Sequence, residues 1–398
     1  MTDPAEARVP LAVPRLEDLP DPAGKAVLVR VDFNVPLRAG DSGSPVVADD
    51  FRIRAALPTL EWLMDHGASV TACTHLGRPK GKVDPAYGVE PVRRALGELI
   101  GGVELLENLR FDPGEEAGDP ATVDRLVDGY DLFVNDAFGV CHREHASVVG
   151  PPGRIPSAAG RLVEREVGML SRLMVEPARP YVVLLGGAKV SDKLGLIRSL
   201  LAKADKVVIA GAMAIAFAVV EAGLREGPGS AEARRWAAMA GLRQVAGLDE
   251  AVLEECRELL ATHGERIMLP VDGVVLGTGE IPEVKPGYLG DAGRVLDIGP
   301  ESSKLFAKTI RSAGTLFWNG PLGMFEDERF AAGTLVAAGA AAACRGYTVV
   351  GGGDTVAAVD RAGVAKEVDF LSTGGGATLE LMEKGDLPGL AALRRGVA

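Results

Sequence analysis

Short apolar runs rich in β-branched residues alternate with stretches of helical periodicity along almost the whole chain. The runs lie at 26–31, 69–74, 131–135, 181–185, 206–210, 266–270, 315–318 and 347–350. They are apolar at consecutive positions rather than at every second one, so both faces of each strand need cover. Helical stretches at 55–66, 92–100, 192–203, 249–263, 301–312 and 330–344 supply that cover. Such alternation specifies parallel sheets with helices on both faces. At 398 residues the chain exceeds what one hydrophobic core usually organises. The fold expected is therefore α/β, with two doubly wound parallel-sheet domains.

The boundary is marked by breakers. GPPGRIP at 150–156 is too rich in Pro and Gly for regular structure. A helical stretch over 157–174 follows, with Ser157 as its expected N-cap, and a second break covers 176–180. This predicts an N-terminal domain over 1–156, a connector helix over 157–175 acting with its flanking breakers as a hinge, and a C-terminal domain from 176.

Composition excludes several classes. The formal net charge of −12 argues against a nucleic-acid binder or an anionic-membrane binder. Cys73, Cys141, Cys256 and Cys344 are scattered with no CxxC spacing, which suits free thiols in a reducing cytosol. The opening MTDPAEARVPLAVP has no basic region followed by an apolar core, so no signal peptide is expected. The apolar stretch 207–220 is shorter than a membrane span and is broken by Gly211; it reads as a strand running into a helix. A soluble, cytoplasmic protein is expected.

In open α/β sheets ligands bind beyond the carboxyl ends of the strands, so the residues at those exits carry the functional information. In the N-terminal half they are cations. The first run contains Arg30 and leads to Asp32 and Asn34, and Asp50 and Arg52 open the next helix. The second leads into His75, Leu76, Gly77 and Arg78; a short run at 103–106 leads to Asn108 and Arg110; the next leads to Asp136, His142, Arg143 and His145. Arginine forks match carboxylate and phosphate, so a small polyanion is the expected guest. Taken singly, Arg52 could equally pair with Asp49 or Asp50 beside it. Cys141, His142 and His145 are too few for a zinc site, and these histidines are expected to pack or to bind an anion.

In the C-terminal half the exits are glycines. They read GGAKVSDK at 186–193, NGPLGMFE at 319–326, GGGDT at 351–355 and STGGG at 372–376. Glycine lets backbone approach a ligand closely, and helix N-termini offer free N–H groups to phosphate. Asp354, beside such a turn, is a candidate Mg²⁺ ligand. Lys189 and Lys193 would share a helix face if both were helical. No run fits the P-loop pattern, and none gives a clean G-x-G-x-x-G, which disfavours a Rossmann dehydrogenase.

Together these segments resemble the phosphoglycerate kinase family over about 28–393. The matching motifs are RVDFNVP (30–36), DDFRI (49–53), HLGRP (75–79), ENLRF (107–111), NDAFGVCHREH (135–145), GGAKVSDK (186–193), LPVD (269–272), DIGP (297–300), WNGPLGMFE (318–326), GGGDT (351–355), STGGGA (372–377) and LPGL (387–390). The resemblance implies reversible phosphoryl transfer between 1,3-bisphosphoglycerate and ADP, giving 3-phosphoglycerate and ATP, with Mg²⁺, in a monomer. It implies phosphoglycerate binding through Asp32, Phe33, Asn34, Arg52, His75, Leu76, Gly77, Arg78, Arg110 and Arg143. It implies nucleotide binding through Lys193, Glu326, Gly352, Gly353, Asp354 and Thr355, with Asp354 at the metal. Arg52, Lys189, Lys193 and Gly375 would serve the transferring phosphate. It also implies that the C-terminal domain ends at 385 and that 386–398 returns to the N-terminal domain. The chain departs from the family at Ala212 and Val295, where a glycine is usual near the base. Two alternatives follow: a paralogous acyl-phosphate kinase with altered nucleotide preference, and a non-catalytic phosphate-binding protein on the same fold.

Overall fold

A computed structural model describes residues 11–40, 43–226, 249–276, 282–286 and 294–396. The chain divides into two compact units, one formed by residues up to Val175 together with those from Gly376 on, the other spanning Glu176–Gly375.

The first unit holds β1 (Ala26–Val31), β2 (Leu37–Ala39), β3 (Pro45–Val47), β4 (Ser69–Cys73), β5 (Glu104–Leu105), β6 (Leu132–Asp136) and β7 (Ser157–Ala159). Five of these make one parallel sheet in the order β5-β4-β1-β6-β7; β2 and β3 form a separate antiparallel hairpin. Its helices begin with α1 (Phe51–Asp65), α2 (Glu90–Leu99), α3 (Pro113–Ala117), α4 (Pro120–Val127), α5 (Ala146–Val149) and α6 (Arg161–Met174). Every residue of β6 and all but the first of β1 are buried, as runs apolar on both faces require.

The second unit holds β8 (Tyr181–Leu185), α7 (Leu194–Leu201), β9 (Lys206–Ile209), α8 (Met213–Glu226), α9 (Glu250–His263) and β10 (Ile267–Met268). It continues with β11 (Asp272–Leu276), β12 (Glu283–Pro286), β13 (Arg294–Ile298), α10 (Pro300–Arg311), β14 (Thr315–Asn319), α11 (Ala332–Ala342), β15 (Tyr347–Gly351), α12 (Gly353–Arg361) and β16 (Phe370–Ser372). A parallel sheet runs β10-β9-β8-β14-β15-β16. The chain then supplies α13 (Gly376–Lys384) and α14 (Pro388–Arg395) to the first unit. Both parallel sheets are doubly wound, as the alternation predicts. The apolar stretch 207–220 is β9 followed by the start of α8, and no described helix is long and apolar enough to cross a membrane.

Two expectations need correction. Ser157 is not a helix cap: it pairs with Phe133 in the sheet, and α6 starts four residues later at Arg161. The helix start is fixed from elsewhere, because Thr59 Oγ1 accepts from Arg161 N at 2.8 Å and Asp136 Oδ1 accepts from Leu162 N at 2.9 Å. Those acceptors are distant in sequence, so a local capping rule misses them. The helix expected as the connector over 157–175 is α6, which packs on α1 and β6 and groups with the first unit. The return to that unit occurs at Gly376 rather than 386, with α13 included. Strands β11, β12 and β13 form a small antiparallel sheet that the periodicity did not announce. Asp272 at its start accepts from Glu301 N at 3.0 Å and Ser302 N at 2.8 Å, so the LPVD motif caps α10.

Candidate active site

In each parallel sheet the chain winds outward one way and then the other, leaving a switch point between two neighbouring central strands. In the first unit these are β1 and β6; in the second, β8 and β14. In open α/β sheets it is there, at the carboxyl ends, that ligands bind.

Beyond β1 and β6 the first unit gathers its cations. Arg52, on the first turn of α1, pairs through Nη1 with Asp32 Oδ2 and not with its neighbours; Asp50 is taken by Arg54, and Asp49 accepts from Phe51 N. The Asp32 carboxylate has room because residue 139 is glycine: a Cβ there would lie 2.4 Å from Asp32 Oδ2. His75 is buried, with its Nδ1 at 3.3 Å from Arg30 Nη2. A guanidinium only donates, so Nδ1 must accept. Burial, with Arg30 next in weight, holds the imidazole well below its ordinary pKa. The 3.9 Å approach of Asp32 Oδ1 to this nitrogen is therefore a meeting of two acceptors and not an ion pair.

Around this centre the loops are tied down. Asn34 Oδ1 accepts from Gly77 N at 2.9 Å, and Arg110 Nη1 donates to Gly77 O at 2.8 Å. Burial lowers the Arg110 pKa, and its Nε lies 3.2 Å from Glu116. Arg78 and Arg143 are exposed and make no ion pair among the described residues. Phe33 and Leu76 face the hydrophobic core, so they shape the rim from behind. His142 and His145 each keep a buried Nδ1 without a hydrogen-bond partner, that of His145 lying 3.8 Å from Glu115 Oε1, and burial lowers both pKa values. Among the described residues no group of three or more His, Cys, Asp or Glu could hold a metal.

In the second unit the loops after β8 and β14 touch backbone to backbone: Gly320 has φ +94°, and a Cβ on it would lie 2.2 Å from Gly186 O. Lys193 lies over this junction, its Nζ donating to Gly186 O at 2.8 Å and Asn319 Oδ1 at 3.1 Å. Desolvation pulls its pKa down to about 8. Lys189 does not share a helix face with it, because α7 begins only at Leu194; Lys189 is exposed on the preceding loop. Asn319 also donates from Nδ2 to Gly351 O at 2.8 Å, and Thr355 Oγ1 accepts from Gly320 N at 2.7 Å. The turns after β8, β14 and β15 thus form one assembly. Gly352, Gly353 and Asp354 stand at the start of α12 with the Asp354 carboxylate exposed, and Glu326 is exposed after β14. Gly375 ends the loop after β16. Ala212 precedes α8 and Val295 pairs with Val275 on the small sheet; both are half-buried.

Two residues that stand at strand exits without an expected role organise these sites. Asn319 holds the Lys193 ammonium, and Asn108 clamps the 75–79 loop by accepting from Leu76 N at 3.2 Å and donating to Leu76 O at 2.7 Å. Each lies within a motif that the sequence carries at a strand exit, ENLRF for Asn108 and WNGPLGMFE for Asn319.

The family model for phosphoglycerate kinase matches residues 16–105 and 98–385. A phosphoglycerate kinase of Frankia alni is 45% identical over 93% of this chain and 97% of its own length. One from Rubrobacter xylanophilus is 44% identical over 93% of this chain and 95% of its own. Among solved structures, the phosphoglycerate kinase of Coxiella burnetii superposes with a TM-score of 0.81 at 32% identity, covering 96% of this chain and 99% of that one. The enzyme of Pyrococcus horikoshii gives 0.79 at 30% identity, covering 96% and 98%. Matched by the family model over most of its length and by relatives of this name at 44–45% identity over 93% of it, the chain belongs to the phosphoglycerate kinase family.

Proposed function

We propose that the first unit's cationic crevice takes the phosphoglycerate and the second unit's glycine-lined crevice takes the nucleotide, with phosphoryl transfer between them. The observation that carries this reading is the pair of exposed arginines, Arg78 and Arg143, on the loops after β4 and β6, at the same carboxyl end of the sheet as the neutral His75 and the half-exposed Arg52. Free guanidiniums and an imidazole N–H are the donors that a carboxylate and a phosphate at the two ends of a small acid require. Asp32 orients Arg52, whose remaining N–H groups are left for an anion.

In the second unit Lys193 is the phosphate partner, already held by two acceptors and already partly desolvated. Gly352, Gly353 and Thr355 offer the N–H groups at the start of α12, Glu326 takes the ribose, and Lys189 and Gly375 lie toward the transferring phosphate. The exposed Asp354 carboxylate fits Mg²⁺ as a single protein ligand, since this ion keeps water and takes the rest of its shell from phosphates. Bound there, the ion supplies charge neutralisation on the phosphate oxygens. No general base is required, because the attacking oxygen is anionic in either direction; the chain's tasks are alignment and charge stabilisation. Four free cysteines, three of them buried, support a reducing, cytosolic setting, and the monomer is carried over from the family resemblance.

Two-ligand calorimetry tests the assignment. Arg78→Ala and Arg143→Ala should weaken 3-phosphoglycerate binding at least tenfold and leave MgADP within about twofold, and Lys193→Ala should do the reverse. Equal loss of both ligands in any variant would refute separate sites.

A further inference from the structure

A buried polar chain runs behind the cationic crevice. The Arg30 side chain on β1 is fully buried. Its Nε donates to Ser147 Oγ at 2.8 Å, on α5, and the hydroxyl in turn donates to Glu115 Oε1 at 2.7 Å, on α3. The Ser147 main-chain N–H donates to the other carboxylate oxygen at 2.9 Å. Glu115 is 1% exposed. A hydroxyl has one proton, so the order is fixed: that proton goes to Glu115 and a lone pair receives Arg30. Successive bonds of this kind polarise one another in a low-dielectric interior. At the far end Arg30 Nη2 meets His75 Nδ1.

We infer that Glu115, acting through Ser147 and Arg30, is a positioning residue that fixes His75 as the tautomer protonated on Nε2. This rests on the reading of the crevice as the phosphoglycerate site. Near His75 Nδ1 stand one donor, Arg30 Nη2 at 3.3 Å, and one acceptor, Asp32 Oδ1 at 3.9 Å, which is not engaged while Arg30 donates. If Arg30 turns about its Cδ–Nε bond, Nδ1 loses its donor, takes up the proton and is drawn to Asp32. That change costs the ligand its Nε2–H donor. It also competes with Arg52 for the same carboxylate, so one buried glutamate sets both the imidazole and the guanidinium that face the substrate. Burial of the guanidinium makes the chain exacting, because a displaced Arg30 finds no water to replace Ser147.

The test uses the full-length enzyme labelled with ¹⁵N-histidine, whose five imidazoles can be assigned by substitution. In the wild type, His75 Nδ1 should resonate as unprotonated and Nε2 as protonated, and 3-phosphoglycerate should move the Nε2 signal. In Ser147→Ala and Glu115→Gln the two nitrogens should exchange their protonation pattern or average it. KM for 3-phosphoglycerate should rise roughly three- to tenfold while KM for ATP stays within twofold. Ser147→Ala removes one oxygen and keeps the fold testable; should Glu115→Gln fail to fold, that variant alone still decides the matter. Wild-type tautomer and unchanged KM in Ser147→Ala overturn the inference. A wild-type His75 that ignores 3-phosphoglycerate instead refutes the crevice assignment, and the tautomer comparison then judges the relay by itself.

Discussion

Raising the pH through 8 should weaken nucleotide binding by a single group, Lys193. Its ammonium is held in a desolvated junction of two glycine turns, and its pKa falls from the ordinary 10.5 to about 8. That difference corresponds to about 3 kcal/mol held against the charged form at neutral pH. The sign follows from linkage. The unfolded chain binds the proton more tightly than the native one, so this group makes the ligand-free protein gain stability as pH rises from about 8 to 10.5. A nucleotide phosphate reverses the balance by stabilising the ammonium, so binding takes up a proton wherever the free enzyme has lost it. Affinity for MgADP should be flat near pH 7 and fall toward tenfold per pH unit above about 8, reaching roughly tenfold weaker at pH 9. Titration calorimetry in two buffers of different ionisation enthalpy measures both the affinity and the proton uptake. Lys193→Ala should abolish the pH dependence along with most of the affinity. A dissociation constant that changes less than twofold between pH 7 and 9.5, with heats independent of buffer, would refute the reasoning.

Arg52→Ala should lower kcat on the order of 10³–10⁵-fold with a small change in melting temperature, and Arg52→Lys should recover part of the rate, because a point charge cannot hold Asp32 and a phosphoryl oxygen as a fork does. Steady-state kinetics decide it, and retention of more than about a tenth of kcat removes Arg52 from the mechanism. Asp272→Ala strips the cap of α10 and should cost about 2 kcal/mol in denaturant unfolding while leaving KM for both substrates unchanged. With Ala212 and Val295 where glycine is usual, GTP and ITP should support turnover within about a hundredfold of ATP, as expected where methyl-sized differences alone discriminate; a gap of several orders of magnitude in kcat/KM would exclude that pocket effect.

The amino-acid sequence alone determined the two parallel sheets. A run such as Tyr181–Leu185 is apolar at every position, and only a strand covered on both faces hides it. It also determined the chemical character of the exits, since arginines after one set of strands and glycines after the other are local facts. What it left open depended on contacts between residues far apart in the chain. Helix α6 begins at Arg161 because Thr59 and Asp136 supply acceptors from other elements, and nothing near Ser157 reports this. Arg52 chose Asp32 over the adjacent Asp49 and Asp50 because β1 delivers that carboxylate across a glycine gap at 139. Arg30 reads as one more cation of the rim, yet the sheet buries it, and only there can Ser147 and Glu115, more than eighty residues downstream, become its counterweight. Periodicity records which face of an element must be dry. Which buried partner meets which is decided by the winding of the sheet, and an unpaired charge in a dry interior is costly enough to make that choice binding.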